Sequence, residues 1–203
     1  MNKNIARLLI AIGVLGALVV LGRTLYYAPN DEIDSGLEVT SEQVVGTIVS
    51  GATSDLPSRL LIPKLNIDTK VQALGITRNG NMAAPSNFTD VSWYKLGTVP
   101  GQVGSAVMSG HEDNAISLDG VFKHLEDLEV GDDVYVVMKS GKKLHFRVTD
   151  EKIYPYNLKG TALNQIFTAK DEARLNLITC TGDWVQEIKT NDKRLVIYTE
   201  LVK

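Results

Sequence analysis

Between Ser58 and the C-terminus, short strand-like apolar runs are separated by turn-forming residues, and few stretches carry a helical period. The runs cover residues 59–63, 68–74, 103–109, 134–139, 144–150, 174–179 and 194–202. Arg78-Asn79-Gly80-Asn81 carries the Asn-Gly hairpin signal, and Ser140-Gly141-Lys142-Lys143 joins two runs as a second hairpin. Two helical pieces interrupt the pattern. Residues 119–128 set Val121, Phe122, Leu125 and Leu128 at helical spacing, and residues 161–167 allow one or two turns. This texture predicts an all-β fold, a closed barrel of seven to eight strands with short helices.

The N-terminus follows a different rule. Residues 8–22 form an uncharged apolar run of fifteen residues, preceded by Lys3 and Arg7. With its flanks the run reaches the roughly 20 residues a bilayer requires. Arg23 then snorkels toward the interface, where Tyr26 and Tyr27 also sit. A signal-peptide core is the competing reading, but no Ala-x-Ala-like pair precedes a site near Tyr27. The expected organisation is a cytoplasmic stub and transmembrane signal anchor at 1–28, an acidic flexible linker at 29–57 and a folded domain at 58–203. Asp31, Glu32, Asp34, Glu38 and Glu42 make the linker acidic. Lys3 and Arg7 hold the N-terminus in the cytoplasm, which puts the domain on the outer side of the cell membrane. A formal net charge of −3 argues against a nucleic-acid partner.

Cys180 is the only cysteine, so the chain holds no internal disulfide and no cysteine-based zinc cluster. A lone thiol outside the cytoplasm is either buried or used, because an exposed one oxidises. It ends the run Leu175-Asn176-Leu177-Ile178-Thr179-Cys180, just before Thr181-Gly182, which reads as a strand end. His111 ends Ser105-Ala106-Val107-Met108-Ser109-Gly110-His111, and Arg194 begins another run. A thiol attacks a carbonyl only as the thiolate, and a histidine either removes its proton or pairs with it as imidazolium. An arginine, always charged and with a rigid fork of N–H groups, stabilises the oxyanion or fixes the substrate.

The local sequences are more specific than the residue types. Leu177-Ile178-Thr179-Cys180, Val107-Met108-Ser109-Gly110-His111 and Lys193-Arg194-Leu195-Val196-Ile197-Tyr198 together resemble the sortase family, the membrane-anchored cysteine transpeptidases of Gram-positive and related bacteria. The stretches at 59–65, 93–94, 100–106, 121–122 and 128–132 are also similar, so the resemblance covers about residues 58–203. It is nearest to class F, with classes D and E next. Asn176 departs from the threonine that many members place before the Leu-x-Thr-Cys box.

The resemblance implies a sortase-type barrel and a catalytic domain over 58–203. It implies that Cys180 cleaves a Leu-Pro-x-Thr-Gly-like sorting signal between Thr and Gly, forming a thioacyl intermediate. His111 would be the acid/base, and Arg194 would hold the substrate or the oxyanion. Partners would be sorting-signal-bearing surface proteins and an amine acceptor on a peptidoglycan precursor or pilin. No cofactor and no metal are expected. Thr179 and Thr181 flank the nucleophile as candidate groove-lining residues, and Ile166 and Phe167 are candidates for an apolar groove wall or for the core. Trp184 either packs the loop before Arg194 or walls the site. Glu112, Asp113 and Asp119 read as solvated loop acids rather than a calcium site, while His124 and His145 read as structural. No lid-like segment is evident before Ser58, so an open groove is expected unless the tether folds over it. Two other classes compete: an extracytoplasmic cysteine peptidase or peptidoglycan hydrolase, and a non-catalytic wall-binding module.

Overall fold

The alternating runs fold as strands and close into a barrel. The computed structural model describes residues 34–38, 55–113, 119–168 and 171–203. The strands among them are β1 (Asp34–Glu38), β2 (Pro57–Ile62), β3 (Ile67–Leu74), β4 (Asn81–Ala83), β5 (Val91–Tyr94), β6 (Gly104–Ser109), β7 (Asp133–Met138), β8 (Lys143–Pro155), β9 (Ala173–Val185) and β10 (Thr190–Leu201). One α-helix, α1 (Thr161–Phe167), and two 3-10 turns, Pro63–Leu65 and Leu125–Asp127, complete the described elements. Eight strands pair in the order β10-β8-β7-β2-β3-β5-β6-β9 around the barrel. The β3–β5 and β6–β9 pairs are parallel, and the other pairs are antiparallel.

Period-two alternation decides which residues face inward. In β7, Val134, Val136 and Met138 are buried, and in β8 Leu144, Phe146 and Val148 match them across the hairpin. The turn between these strands needs Gly141 at φ +87, a left-handed conformation that glycine adopts without strain. The same alternation splits β9 and β10 into two layers. Leu175, Leu177, Leu195 and Ile197 join the barrel interior. Ile178 and Val196 face the other way and form a second core with Met82, Tyr94, Val107 and the α1 residues Leu163, Ile166 and Phe167. The Asn176 amide, on that second face, donates to the Ile166 carbonyl at 2.6 Å and ties α1 to β9. That bond gives a local role to the residue that departs from the common pattern.

Three expectations change. Residues 119–128 form no α-helix; a turn at 121–124 leads into the 3-10 turn Leu125–Asp127. The amides of Lys123, Leu125, Asp127 and Leu128 each donate to the carbonyl three residues back, so the segment coils as turns and 3-10 rather than α. The apolar spacing still works, with Phe122, Leu125 and Leu128 buried in the barrel core. Second, β5 carries no alternation that a sequence pattern could detect, because all four of its residues are buried. Third, the 29–57 linker is not irregular throughout: β1 pairs antiparallel with β4 and runs beside β9. The rest of that linker up to residue 54 and the apolar run at 8–22 lie outside the described residues. Among the described residues, no helix is long and apolar enough to cross a membrane.

Phe146 is fully buried in the barrel interior. Truncation to alanine removes a large apolar side chain and leaves a cavity, so Phe146→Ala is expected to lower stability by about 3–5 kcal/mol. Urea unfolding of the purified protein, followed by tryptophan fluorescence, measures this.

Candidate active site

The ladder between β9 and β10 sets Arg194 directly opposite Cys180. Residues opposite one another in an antiparallel pair share a face, here the face of Ile178, Val196 and the second core. The thiol was expected at a strand end, and the structure corrects this. β9 continues past Cys180 to Val185, and the ladder is broken only by a register shift between Asn191 and Lys193. Gly182 stands in the left-handed region at φ +82, where a Cβ would collide with the Asp192 carboxylate. That carboxylate accepts the Asp183 amide at 2.9 Å, and the Asn191 side chain donates to the Gly182 carbonyl at 3.2 Å. The glycine read as a turn is thus a kink that keeps the hairpin paired.

Arg194 is only 1% exposed. Its Nη1 donates to the carbonyls of Asn191 at 2.9 Å and Lys193 at 2.7 Å, and Nη2 donates to the Thr190 hydroxyl at 2.9 Å. These acceptors belong to the start of its own strand, so the kinked hairpin is what aims the guanidinium.

His111 follows the last residues of β6. Two hydrogen bonds tie this segment to β9: the Gly110 amide to the Ile178 carbonyl at 3.1 Å, and the Thr179 hydroxyl to the Gly110 carbonyl at 3.0 Å. The imidazole sits against Phe88, with ring centroids 4.8 Å apart, and its Nε2 lies 3.0 Å from the Pro85 carbonyl. A carbonyl only accepts, so the neutral ring carries its proton on Nε2 and its lone pair on Nδ1. Gly120 is required here, because a Cβ would run into the His111 carbonyl. Among the described residues, no hydrogen bond joins the His111 ring to Cys180.

A shallow depression at Cys180 is lined by Glu112, Phe122, Lys123, Glu126, Thr179, Thr181 and Leu195. Glu112 is not the solvated loop acid expected. Its carboxylate sits 3.6 Å from Lys123 Nζ and accepts the Asn191 amide at 3.3 Å. Burial raises its pKa, opposed by Lys123. Burial also pushes the Cys180 thiol up; Arg194 and the Thr190 hydroxyl oppose this, while Glu112 and Asp113 reinforce it. His111 moves the other way, held low by burial against the Pro85 carbonyl and Asp113.

The remaining candidates separate. Thr179 is buried with its hydroxyl turned to Gly110, whereas Thr181 stays half-buried beside Cys180. Ile166 and Phe167 are buried in the second core rather than forming an open wall. Trp184 is 60% exposed and donates to Gln186, in the loop before Arg194, at 3.2 Å. His145 Nε2 donates to the Asp133 carboxylate at 2.7 Å and its ring stacks on Tyr135, while His124 is exposed beside Asp127. Pro85, Phe88, Gly120, Thr190, Asn191 and Asp192 were missed. Their only signal is tertiary, apart from the polar Thr190-Asn191-Asp192 cluster at the hairpin.

A family model described as the sortase domain matches residues 60–202, and the chain belongs to the sortase family. No curated protein matches the chain. The solved structures include sortase C1 of GBS pilus island 1, at 20% identity and TM-score 0.54, covering 72% of this chain and 65% of that one. Sortase A from Corynebacterium diphtheriae aligns at 18% and 0.55, covering 75% and 63%. Sortase C-1 from Actinomyces oris aligns at 19% and 0.57, covering 93% and 96%. The chain thus spans just under two thirds of the first two and nearly all of the third.

Two outcomes test this geometry. Gly182→Ala places a Cβ against Asp192 and forces a left-handed backbone, so stability is expected to fall by about 1–2 kcal/mol, read from thermal or urea unfolding. Glu112→Gln removes a negative charge that disfavours the thiolate. The pH profile of iodoacetamide alkylation at Cys180 is therefore expected to move to lower pH.

Proposed function

We propose that the chain is a cysteine transpeptidase anchored in the cell membrane through residues 1–28, with its catalytic domain outside the cytoplasm. Its local sequences favour class F among sortases. The observation that carries this reading is that Cys180 and Arg194 face each other across one antiparallel ladder, with the residue before His111 tied to the same strand. The substrate is a surface protein bearing a Leu-Pro-x-Thr-Gly-like signal, and the acceptor is an amine of a peptidoglycan precursor or pilin. A nucleophile within a strand also disfavours a peptidoglycan endopeptidase, which would be expected to open a helix with it.

The Cys180 thiolate attacks the threonine carbonyl carbon. A carbon–sulfur bond forms, and the carbonyl electrons move onto oxygen, where Arg194 and backbone N–H groups beside Thr179 and Thr181 offset the charge. Collapse breaks the carbon–nitrogen bond, and the imidazolium protonates the departing glycine amine. With Nε2–H engaged by Pro85, Nδ1 is the atom that transfers this proton. The acceptor amine then attacks the thioester, gives a proton to Nδ1 and releases the thiolate. Ile166 and Phe167 serve from behind, as the packed support of the segment between β8 and β9.

The thiol titrates above its usual range and the imidazole below, so the neutral pair dominates near neutrality and the ion pair is a minor population. The rate is then bell-shaped, with its acid limb set by His111 and its alkaline limb by Cys180. Incubation with a Leu-Pro-x-Thr-Gly peptide and an amine, followed by mass spectrometry, is expected to give an acyl adduct on Cys180 and a ligated product. Cys180→Ala removes both, lowering turnover on the order of 10⁴-fold or more. An adduct that survives Cys180→Ala, or release of acid alone at saturating amine, overturns the transpeptidase reading.

A further inference from the structure

Asn191 stands where the β9–β10 ladder slips, opposite Trp184 and three residues before Arg194. Its side-chain amide donates to the Glu112 carboxylate at 3.3 Å and to the Gly182 carbonyl at 3.2 Å. Its own backbone carbonyl accepts Arg194 Nη1 at 2.9 Å. Glu112 directly follows His111, and Gly182 lies two residues after Cys180. One half-buried residue therefore touches the flank of the imidazole, the flank of the thiol and the guanidinium itself. A carboxylate and a carbonyl only accept, so the amide nitrogen faces both and its two hydrogens are both used. We propose that Asn191 is a positioning residue for the reaction: it fastens the β9–β10 hairpin to the segment carrying His111 while holding the guanidinium of the residue opposite Cys180.

This rests on Cys180, His111 and Arg194 having the roles given them in the proposed function. The link matters because the hairpin leaves the barrel at this point. β9 pairs with β6 only as far as Ile178, and β10 pairs with β8 only as far as Lys193. Among the described residues, two hydrogen bonds join the hairpin between Thr181 and Asp192 to the rest of the protein. One runs from the Tyr156 amide to the Asp192 carbonyl at 2.9 Å, on the β8 side, and the other from Asn191 to Glu112. Only the second reaches the His111 side. The bond is also charge-assisted, and such bonds are roughly twice as strong as neutral ones. A hairpin fastened on one side alone is free to tilt, and a displacement of about 1 Å between reacting groups is enough to slow catalysis markedly.

The purified full-length protein provides the test, with Cys180 as its only thiol. Asn191→Ala removes both side-chain donors and keeps the backbone carbonyl. With a Leu-Pro-x-Thr-Gly peptide and an amine, kcat/KM is expected to fall about tenfold. The pH profile of iodoacetamide alkylation at Cys180 is expected to move to higher pH, because a loosened guanidinium offsets the thiolate less. The other charged groups at the sulfur, Glu112, Asp113, Lys123 and Glu126, are unchanged in this variant. Exchanging the partners separates positioning from a general loss of structure. Asn191→Asp sets two carboxylates against each other and loses more than the alanine variant. Adding Glu112→Gln to it restores one donor and one acceptor across the same gap, with their roles reversed, and kcat/KM is expected to recover about tenfold over Asn191→Asp. If the alanine variant fails to unfold cooperatively, the Asn191→Asp pair carries the comparison. An Asn191→Ala protein with wild-type kcat/KM overturns the proposal, as does an unshifted alkylation profile or an exchanged pair no better than Asn191→Asp. Alkylation needs no peptide. A shifted profile in a protein that ligates nothing sinks the transpeptidase reading alone, and normal ligation with an unshifted profile sinks the role of Asn191 alone.

Discussion

The site depends on the register of one strand pair. Cys180 faces Arg194 because β9 and β10 stay in phase from Glu200 and Arg174 back to Arg194 and Cys180, and then slip between Asn191 and Lys193. The slip turns two carbonyls and a hydroxyl toward a guanidinium that is almost wholly withdrawn from water. Burying a charge costs several kcal/mol unless its donors are met. These three oxygens take guanidinium N–H groups on the buried side of the strand start. Gly182 and Asp192 make the arrangement possible, since only a residue without Cβ leaves room for the carboxylate that braces the kink.

The same strands build the scaffold. Odd positions of β9 and β10 fill the barrel, and even positions face the second core and α1. Cys180 and Arg194 therefore stand on the rim of a packed layer, not inside the barrel. Asn176 joins that layer to α1 through the Ile166 carbonyl, and Thr179, one residue before Cys180, turns inward to hold the Gly110 carbonyl. Each residue between 176 and 180 faces one layer or the other. A shift of one position would exchange them all, so the fold and the placement of the thiol are a single specification.

Strands with one wet face were legible in the sequence because burial alternates there, as in β7 and the first half of β8. β5 was not, since a strand covered on both faces loses its period, and its four residues give too little length to recover it. Apolar spacing at Phe122, Leu125 and Leu128 was read correctly as burial and wrongly as α-helix, because the segment closes three-residue turns instead of four-residue ones, a difference that apolar spacing does not resolve. The proposed trio of Cys180, His111 and Arg194 stood out as residue types at the borders of apolar runs. Their partners were hidden: Pro85 and Phe88 lie more than twenty residues from His111, and no local pattern links them. Gly182 carried a true signal, a left-handed backbone, whose meaning as kink or turn only the pairing decides.

Thiol and imidazole are displaced in opposite directions, and both displacements favour the uncharged forms. For an enzyme proposed to work outside the cytoplasm this has a chemical logic. A permanent thiolate is the form that oxidants attack first, and a sole cysteine has no resolving partner to rescue it as a disulfide. Burial and the carboxylates of Glu112 and Asp113 keep the sulfur protonated at rest. Arg194 and Thr190 act against them, which keeps the thiolate accessible. The balance places reactivity in a minor state that a well-positioned carbonyl can draw upon. The barrel's contribution is to hold the opposing groups on rigid, paired backbone so that neither side of the balance drifts.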